Sequence, residues 1–164
     1  MRRIVRLALV AATVATIGGA AAVASASDNR PRILDANLAG LPATLTGQTL
    51  FGVTAGGAPW RLDGGRAKLF SDGRLQVEVR GLVLAAGPLE GTNPIPHGEA
   101  IVTCQGAVAA RSVPVDYSAD GDATVDQTVA LPDGCLAPVV FFSGVPNPAV
   151  PTTAPWFAVT GFGD

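Results

Sequence analysis

An all-β fold follows from three features of the sequence. Apolar and polar side chains alternate over two long stretches, Gly and Pro punctuate the chain about every ten residues, and no dozen residues beyond the N-terminal segment sustain apolar spacing of three and four. Strands at that spacing, joined by Gly- and Pro-rich turns, predict a single Ig-like or jelly-roll-like β-sandwich. The two cysteines predict one disulfide within it, and a signal peptide precedes it.

The N-terminal segment is read first, because it sets the compartment. Met1-Arg2-Arg3 opens with charge, Arg6 adds another, and Leu7 to Ala26 carries none. The run closes on Ala24-Ser25-Ala26, before the polar Ser27-Asp28-Asn29-Arg30. That is the order of a secretory signal peptide, with residues 1–26 removed on export. Ala22-Val23-Ala24 offers a second cut. A membrane anchor that stays uncleaved is the rival reading, since about 20 uncharged residues just span a bilayer. The abundance of Ala and the Gly18-Gly19 pair favour cleavage. Ten Arg against one Lys (Lys68), with much Ala and Gly, point to a GC-rich bacterial source.

Cleavage after Ala26 leaves 138 residues with eight basic and thirteen acidic side chains, a net charge of −5 in place of −2. One domain of ordinary size fits that length. No basic run survives, which argues against a nucleic-acid footprint and against attraction to an anionic membrane surface.

Residues 27–43 read as an N-terminal lead-in, and 44–164 as the sandwich domain. Thr44 to Val53 is a weak strand. Ala67 to Phe70 and Arg74 to Leu84 form the clearest hairpin, joined at Ser71-Asp72-Gly73, where Gly accepts the positive φ of a tight turn. Leu75, Val77, Val79 and Gly81 alternate with Arg74, Gln76, Glu78 and Arg80, giving one buried and one wet face. Ala100 to Cys104 and Val139 to Phe142 are short apolar runs, suited to strands buried on both faces. Val113 to Tyr117 is a weaker strand. Ala123 to Leu131 alternates again, between Asp120-Gly121-Asp122 and Pro132-Asp133-Gly134. Trp156 to Phe162 is the last. Ala86 to Gly98 and Gly144 to Pro155 are too rich in Pro for central strands and read as loops.

In an oxidising compartment, Cys104 and Cys135 read as a bridge from the end of the Ala100 strand to the turn before the Val139 strand. Closing that loop stabilises the fold by roughly 3–4 kcal/mol in the chain-entropy model.

Few residues carry chemistry. His97 is the only histidine, in Asn93-Pro94-Ile95-Pro96-His97-Gly98-Glu99, and with Glu99 it is a candidate acid–base or ligand contact. Asp116, Asp120, Asp122 and Asp126 surround a Gly turn and are weak candidates for calcium, since EF-hand spacing is absent and a solvated turn is the plainer reading. Trp60 and Trp156 are candidate platforms for a sugar ring, against the plainer expectation of burial. The Arg74–Arg80 polar residues read as a solvent face. A Gly-x-Ser-x-Gly elbow and a phosphate-binding Gly loop are both missing, so no catalytic residue and no cofactor are assigned.

The string Gly65 to Leu82 resembles a hairpin of the chordin-type repeat domain, an extracellular β-rich module. That domain's His-Ile-His element is replaced here by Ile95-Pro96-His97, with one His. The whole chain resembles exported bacterial β-proteins that carry Gly-x-Pro-Trp, Leu-Pro-x-x-Cys and a terminal Trp-Phe-Ala-Val-Thr-Gly, here Gly57 to Trp60, Leu131 to Cys135 and Trp156 to Gly161. The resemblance implies location and fold. Together these readings lead us to expect a secreted, non-catalytic binding or structural module with an extracellular or cell-wall ligand. The alternative expectation is a calcium-dependent carbohydrate-binding protein or a hydrolase, using His97, Glu99 or the Asp116–Asp126 cluster.

Overall fold

The computed structural model describes residues 30–147 and 154–161; the signal peptide expected over Met1–Ala26 lies outside them. The described residues form thirteen strands and one 3-10 turn, Ala43–Leu45, with no α-helix. The strands are β1 (Arg32–Gly40), β2 (Thr49–Leu50), β3 (Val53–Thr54), β4 (Trp60–Arg61), β5 (Gly64–Phe70), β6 (Arg74–Arg80) and β7 (Val83–Leu84). They continue with β8 (His97–Cys104), β9 (Ala107–Arg111), β10 (Val115–Asp116), β11 (Ala123–Thr128), β12 (Val139–Val145) and β13 (Trp156–Thr160). The fold is therefore all-β, as the alternation predicts.

Nine strands make one antiparallel sheet in the order β10-β8-β12-β13-β1-β5-β6-β11, with β9 beside β10 on the same edge of β8. The sheet curls into two facing layers. β1 belongs to both: Arg32 to Asn37 pairs with β5, and Leu38 to Gly40 pairs with β13. Curling brings the two ends of the order together, so that β11 lies next to β10. The hairpins β2–β3 and β4–β7 are separate two-stranded ribbons.

The predicted β5–β6 hairpin is present. Leu75, Val77 and Val79 are buried, while Arg74, Glu78 and Arg80 are exposed and Gln76 is half-buried. Gly73 closes the turn at φ +86°, where a Cβ would also stand 2.0 Å from the Val129 carbonyl oxygen, so only glycine fits. Across the sheet Ala67 faces Val77, and Val77 faces Val125, which continues the apolar inner face through three strands.

β8, β12 and β13 are buried on both faces, as their continuous apolar runs imply. Their inner face closes the core against β1, β5, β6 and β11. Their outer face is covered by residues 41–57. Leu41 N–H donates to the Phe157 carbonyl at 2.8 Å, Ala55 bridges Trp156, and Phe51 at the tip of β2–β3 reaches Gly106 beyond β8. One end of the core is filled by aromatic rings. Trp60 stacks on Phe157 at 4.0 Å between centroids, and Tyr117 meets Phe142 edge-on at 5.2 Å. The Tyr117 hydroxyl donates to the Leu82 carbonyl. Burial, reinforced by the Asp122 charge, pushes that phenol above its ordinary range.

The disulfide joins Cys104 at the end of β8 to Cys135, with Cα atoms 5.1 Å apart across 31 residues. Gln105 N–H donates to the Leu136 carbonyl at 2.8 Å, a second tie at the same corner.

Structure and expectation part at several elements, two of them early in the chain. The lead-in 27–43 contains β1, a nine-residue strand at the centre of the sheet. A bulge between Arg32 and Leu34 places Ile33 and Leu34 side by side in sequence, and this breaks the period-two signal. The Thr44–Val53 strand is a 3-10 turn followed by the short β2–β3 hairpin. Its Phe51-Gly52 turn takes positive φ at both positions, a turn that sequence alternation does not reveal.

Candidate functional site

The wet face of β1, β5, β6 and β11 is an ordered polar grid, because period-two alternation on four paired strands sends every second side chain outward. Strand register sets its rows. Asn37 faces Arg66, Arg66 faces Glu78, and Glu78 faces Thr124. In the next row Asp35 faces Lys68, Lys68 faces Gln76, and Gln76 faces Asp126. Directly opposed side chains stand about 5 Å apart at Cβ, within reach of one another.

Most of these charges are paired. Arg66 Nε donates to Asp35 Oδ1 at 2.6 Å, and Arg32 donates to the other oxygen of Asp35. Arg80 meets Glu78 at 3.1 Å, Arg74 meets Asp126 at 3.6 Å, and Gln76 Nε2 donates to Asp126 at 3.2 Å. The hydrogen bond from Arg66, with the nearby charges of Arg66, Arg32 and Lys68, holds the Asp35 carboxyl below the usual range despite some desolvation. The same pair raises the Arg66 guanidinium further.

Two hollows lie along this face. One, of about 250 Å³, is lined by Lys68, Gln76, Thr124 and Asp126; the other, of about 560 Å³, by Asn37, Asp63 and Arg80. Arg66 and Glu78 border both, so the two hollows lie side by side, the smaller over β5, β6 and β11 and the larger toward β1, and the adjoining pair is the groove of this face.

A second groove, of about 570 Å³, lies at the opposite layer between Asn93–His97 and Asp116–Asp122. Its floor is fixed by Asn93, a buried side chain that donates to the Ile95 carbonyl at 2.7 Å and the Ser118 carbonyl at 2.8 Å. Register places His97 opposite Asp116, and His97 Nδ1 stands 3.6 Å from Asp116 Oδ1.

The sequence-predicted residues separate accordingly. Trp60 and Trp156 are 5% and 0% exposed, so neither offers a ring face to a sugar; both are core, because a large apolar ring gains most from burial. Trp156 Nε1 and its cross-strand neighbour Ser143 Oγ have no hydrogen-bond partner among the described residues. Glu99 is buried and paired with Arg111, away from the His97 groove. The aspartates do not form a calcium site. Asp116 faces His97, Asp122 accepts from Gly81 N–H at 2.9 Å, and Asp126 sits on the wet face with Arg74. Among the described residues no three His, Cys, Asp or Glu side chains converge to hold a metal. Asp116 and Asp122 both line the second groove, but Asp122 is tied to the Gly81 backbone and Asp126 lies on the wet face.

The residues that sequence reasoning left out are Asp35, Asn37, Arg66, Lys68 and Thr124. Their signal was the same alternation that marked Arg74 to Arg80, but only the pairing of distant strands makes them neighbours.

Fold and site together define an all-β, sandwich-like domain with one disulfide and a polar groove across its wet face. No family model matches the chain, and no curated protein or solved structure is detectably similar to it. The disulfide is compatible with an extracellular location, and no helix among the described residues is long and apolar enough to cross a membrane.

Proposed function

We propose that this chain is an exported, non-catalytic binding or structural module whose contact surface is the wet face of β1, β5, β6 and β11. The observation that carries the reading is the pair of adjoining hollows that share Arg66 and Glu78. Its carboxylates are tied to guanidinium groups, and Asp35 is held ionised by Arg66. Such groups accept hydrogen bonds in fixed directions, which suits recognition of a polar ligand better than proton donation near neutral pH. The framework behind them is a rigid sheet locked by a disulfide, so little ordering is required on contact.

Export is supported by the order of charge, apolar run and small-residue site in Met1–Ala26. Fractionation of expressing cells, with the N-terminal residue read by mass spectrometry, tests it: a start near Ser27 outside the cell is expected.

The contact surface is tested by titrating isotope-labelled protein with extracellular polysaccharides and mapping the amide shifts. Shifts centred on Lys68, Gln76, Glu78 and Thr124 are expected. Shifts centred on His97 and Asp116 would move the site to the other groove. A hydrolase reading rests on that second groove, where the carboxylate of Asp116 stands beside His97 as an orienting group stands beside a base. Loss of polysaccharide cleavage in His97→Ala would favour it; the proposed module predicts binding unaffected by that change.

A further inference from the structure

With the wet face taken as the contact surface, we propose that its groove takes an anionic, hydroxyl-bearing polymer, and that Lys68 is the group that meets the polymer's negative charge. Two observations carry this.

The first is the state of Lys68. Each of the seven arginines among the described residues has a carboxylate within 4.0 Å. Lys68, half-buried in the middle of the face, makes no ion pair or hydrogen bond among the described residues. Its cross-strand neighbour Asp35 is occupied on both oxygens by Arg32 and Arg66, and its neighbour on the other side, Gln76, is neutral and turned to Asp126. The ammonium therefore points into the groove with its donors unspent.

The second is the distribution of charge. The outward residues of β1, β5, β6 and β11 carry Arg32, Arg66, Lys68, Arg74 and Arg80 against Asp35, Glu78 and Asp126, an excess of two positive charges. The remaining described residues carry three arginines against eight carboxylates. A local positive surplus on an acidic protein focuses an anion on this face and repels it elsewhere.

Lys68 shares its hollow with Gln76 and Thr124, whose amide and hydroxyl both donate and accept, as sugar or polyol hydroxyls require. The two adjoining hollows together reach over four strands, a span of about 14 Å at the usual strand spacing, which suits a polymer segment rather than a lone ion. A carboxylate on a uronic acid and a phosphodiester of a polyol phosphate share this chemistry.

Affinity electrophoresis of the mature protein separates the possibilities. Polygalacturonate and polyglycerol phosphate serve as the two anionic arms and dextran as the neutral one. Retardation by at least one anionic polymer is expected, weakening as salt rises. Lys68→Gln should weaken it about tenfold or more, and Lys68→Arg should restore most of it. The arm that responds identifies the anion. Lys68→Gln binding as well as the parent would overturn the inference, as would no retardation by either anionic polymer. Equal retardation by dextran, lost in Gln76→Ala, would also overturn it while leaving the wet face as the contact surface. Thermal unfolding of the Lys68 variants verifies that each is folded; the substitution lies off the core, and an unchanged midpoint is expected.

Discussion

Gln127 on β11 clasps the backbone of Val113 with its side-chain amide. Val113 N–H donates to Gln127 Oε1 at 2.8 Å, and Gln127 Nε2 donates to the Val113 carbonyl at 3.1 Å. A carboxamide offers the same donor and acceptor as a peptide group, so it stands in for a strand partner where β11 meets the opposite edge of the curled sheet. Val113 lies between β9 and β10, next to Pro114, which has no N–H to offer.

Replacing Gln127 with Ala removes both hydrogen bonds. We expect a loss of about 1–2 kcal/mol in denaturant unfolding, together with faster hydrogen exchange at Val113. Gln127→Glu keeps the acceptor and loses the donor, and should fall between. An unaltered Val113 exchange rate in Gln127→Ala would show that the seam is held by other contacts.

Breaking the Cys104–Cys135 bridge by a double change to Ala should cost about 3–4 kcal/mol, because the unfolded chain regains the freedom of a 31-residue separation. Reduction of the native protein should give a loss of the same size. The oxidised protein should weigh two protons less than its sequence, which intact mass reads directly.

The pairing of Asp35 with Arg66 predicts a specific acid response. The folded carboxyl titrates below its unfolded value of about 3.9, so this stabilisation is fully present above that value and is lost as pH falls through the lower, folded one. NMR titration should find Asp35 below its ordinary value. Arg66→Gln should raise it toward the ordinary value; an Asp35 that does not move in that variant would remove Arg66 as the cause.

Trp60 is stacked on Phe157 and 5% exposed, so Trp60→Ala should destabilise by about 3–5 kcal/mol. A ligand platform would behave otherwise, with loss of binding at unchanged stability. Chemical denaturation followed by tryptophan and circular-dichroism signals distinguishes these outcomes.

Ser143 Oγ is buried without a protein partner among the described residues. Removing an unsatisfied hydroxyl removes its desolvation cost, so Ser143→Ala should be neutral or stabilising by up to about 1 kcal/mol. A lower midpoint would reveal a partner for that hydroxyl.

Much of this architecture was readable along the chain. Alternation at Leu75, Val77 and Val79 gave the inner face of β6, and Asp72-Gly73 gave its turn, because transfer of side chains from water and the φ allowed to glycine are local properties. The runs at Ala100–Cys104 and Val139–Phe142 announced strands buried on both faces, and two cysteines, read with an expected export signal, announced their bridge. β1 was hidden by its bulge at Ile33-Leu34, which interrupts the only signal a strand carries locally.

The groove was decided in three dimensions. Alternation sends Asp35, Lys68 and Gln76 to a wet face, but it does not say which stands opposite which; a slip of two residues in one strand keeps every side chain on its face and changes every neighbour. That choice is made by the packing of Ala67 on Val77 and Val77 on Val125, by the clasp of Gln127 on Val113, and by β1 bending from one layer to the other. Strand identity is thus written locally in side-chain polarity. The row of Asp35, Lys68 and Gln76 exists only because residues far apart in sequence share one core.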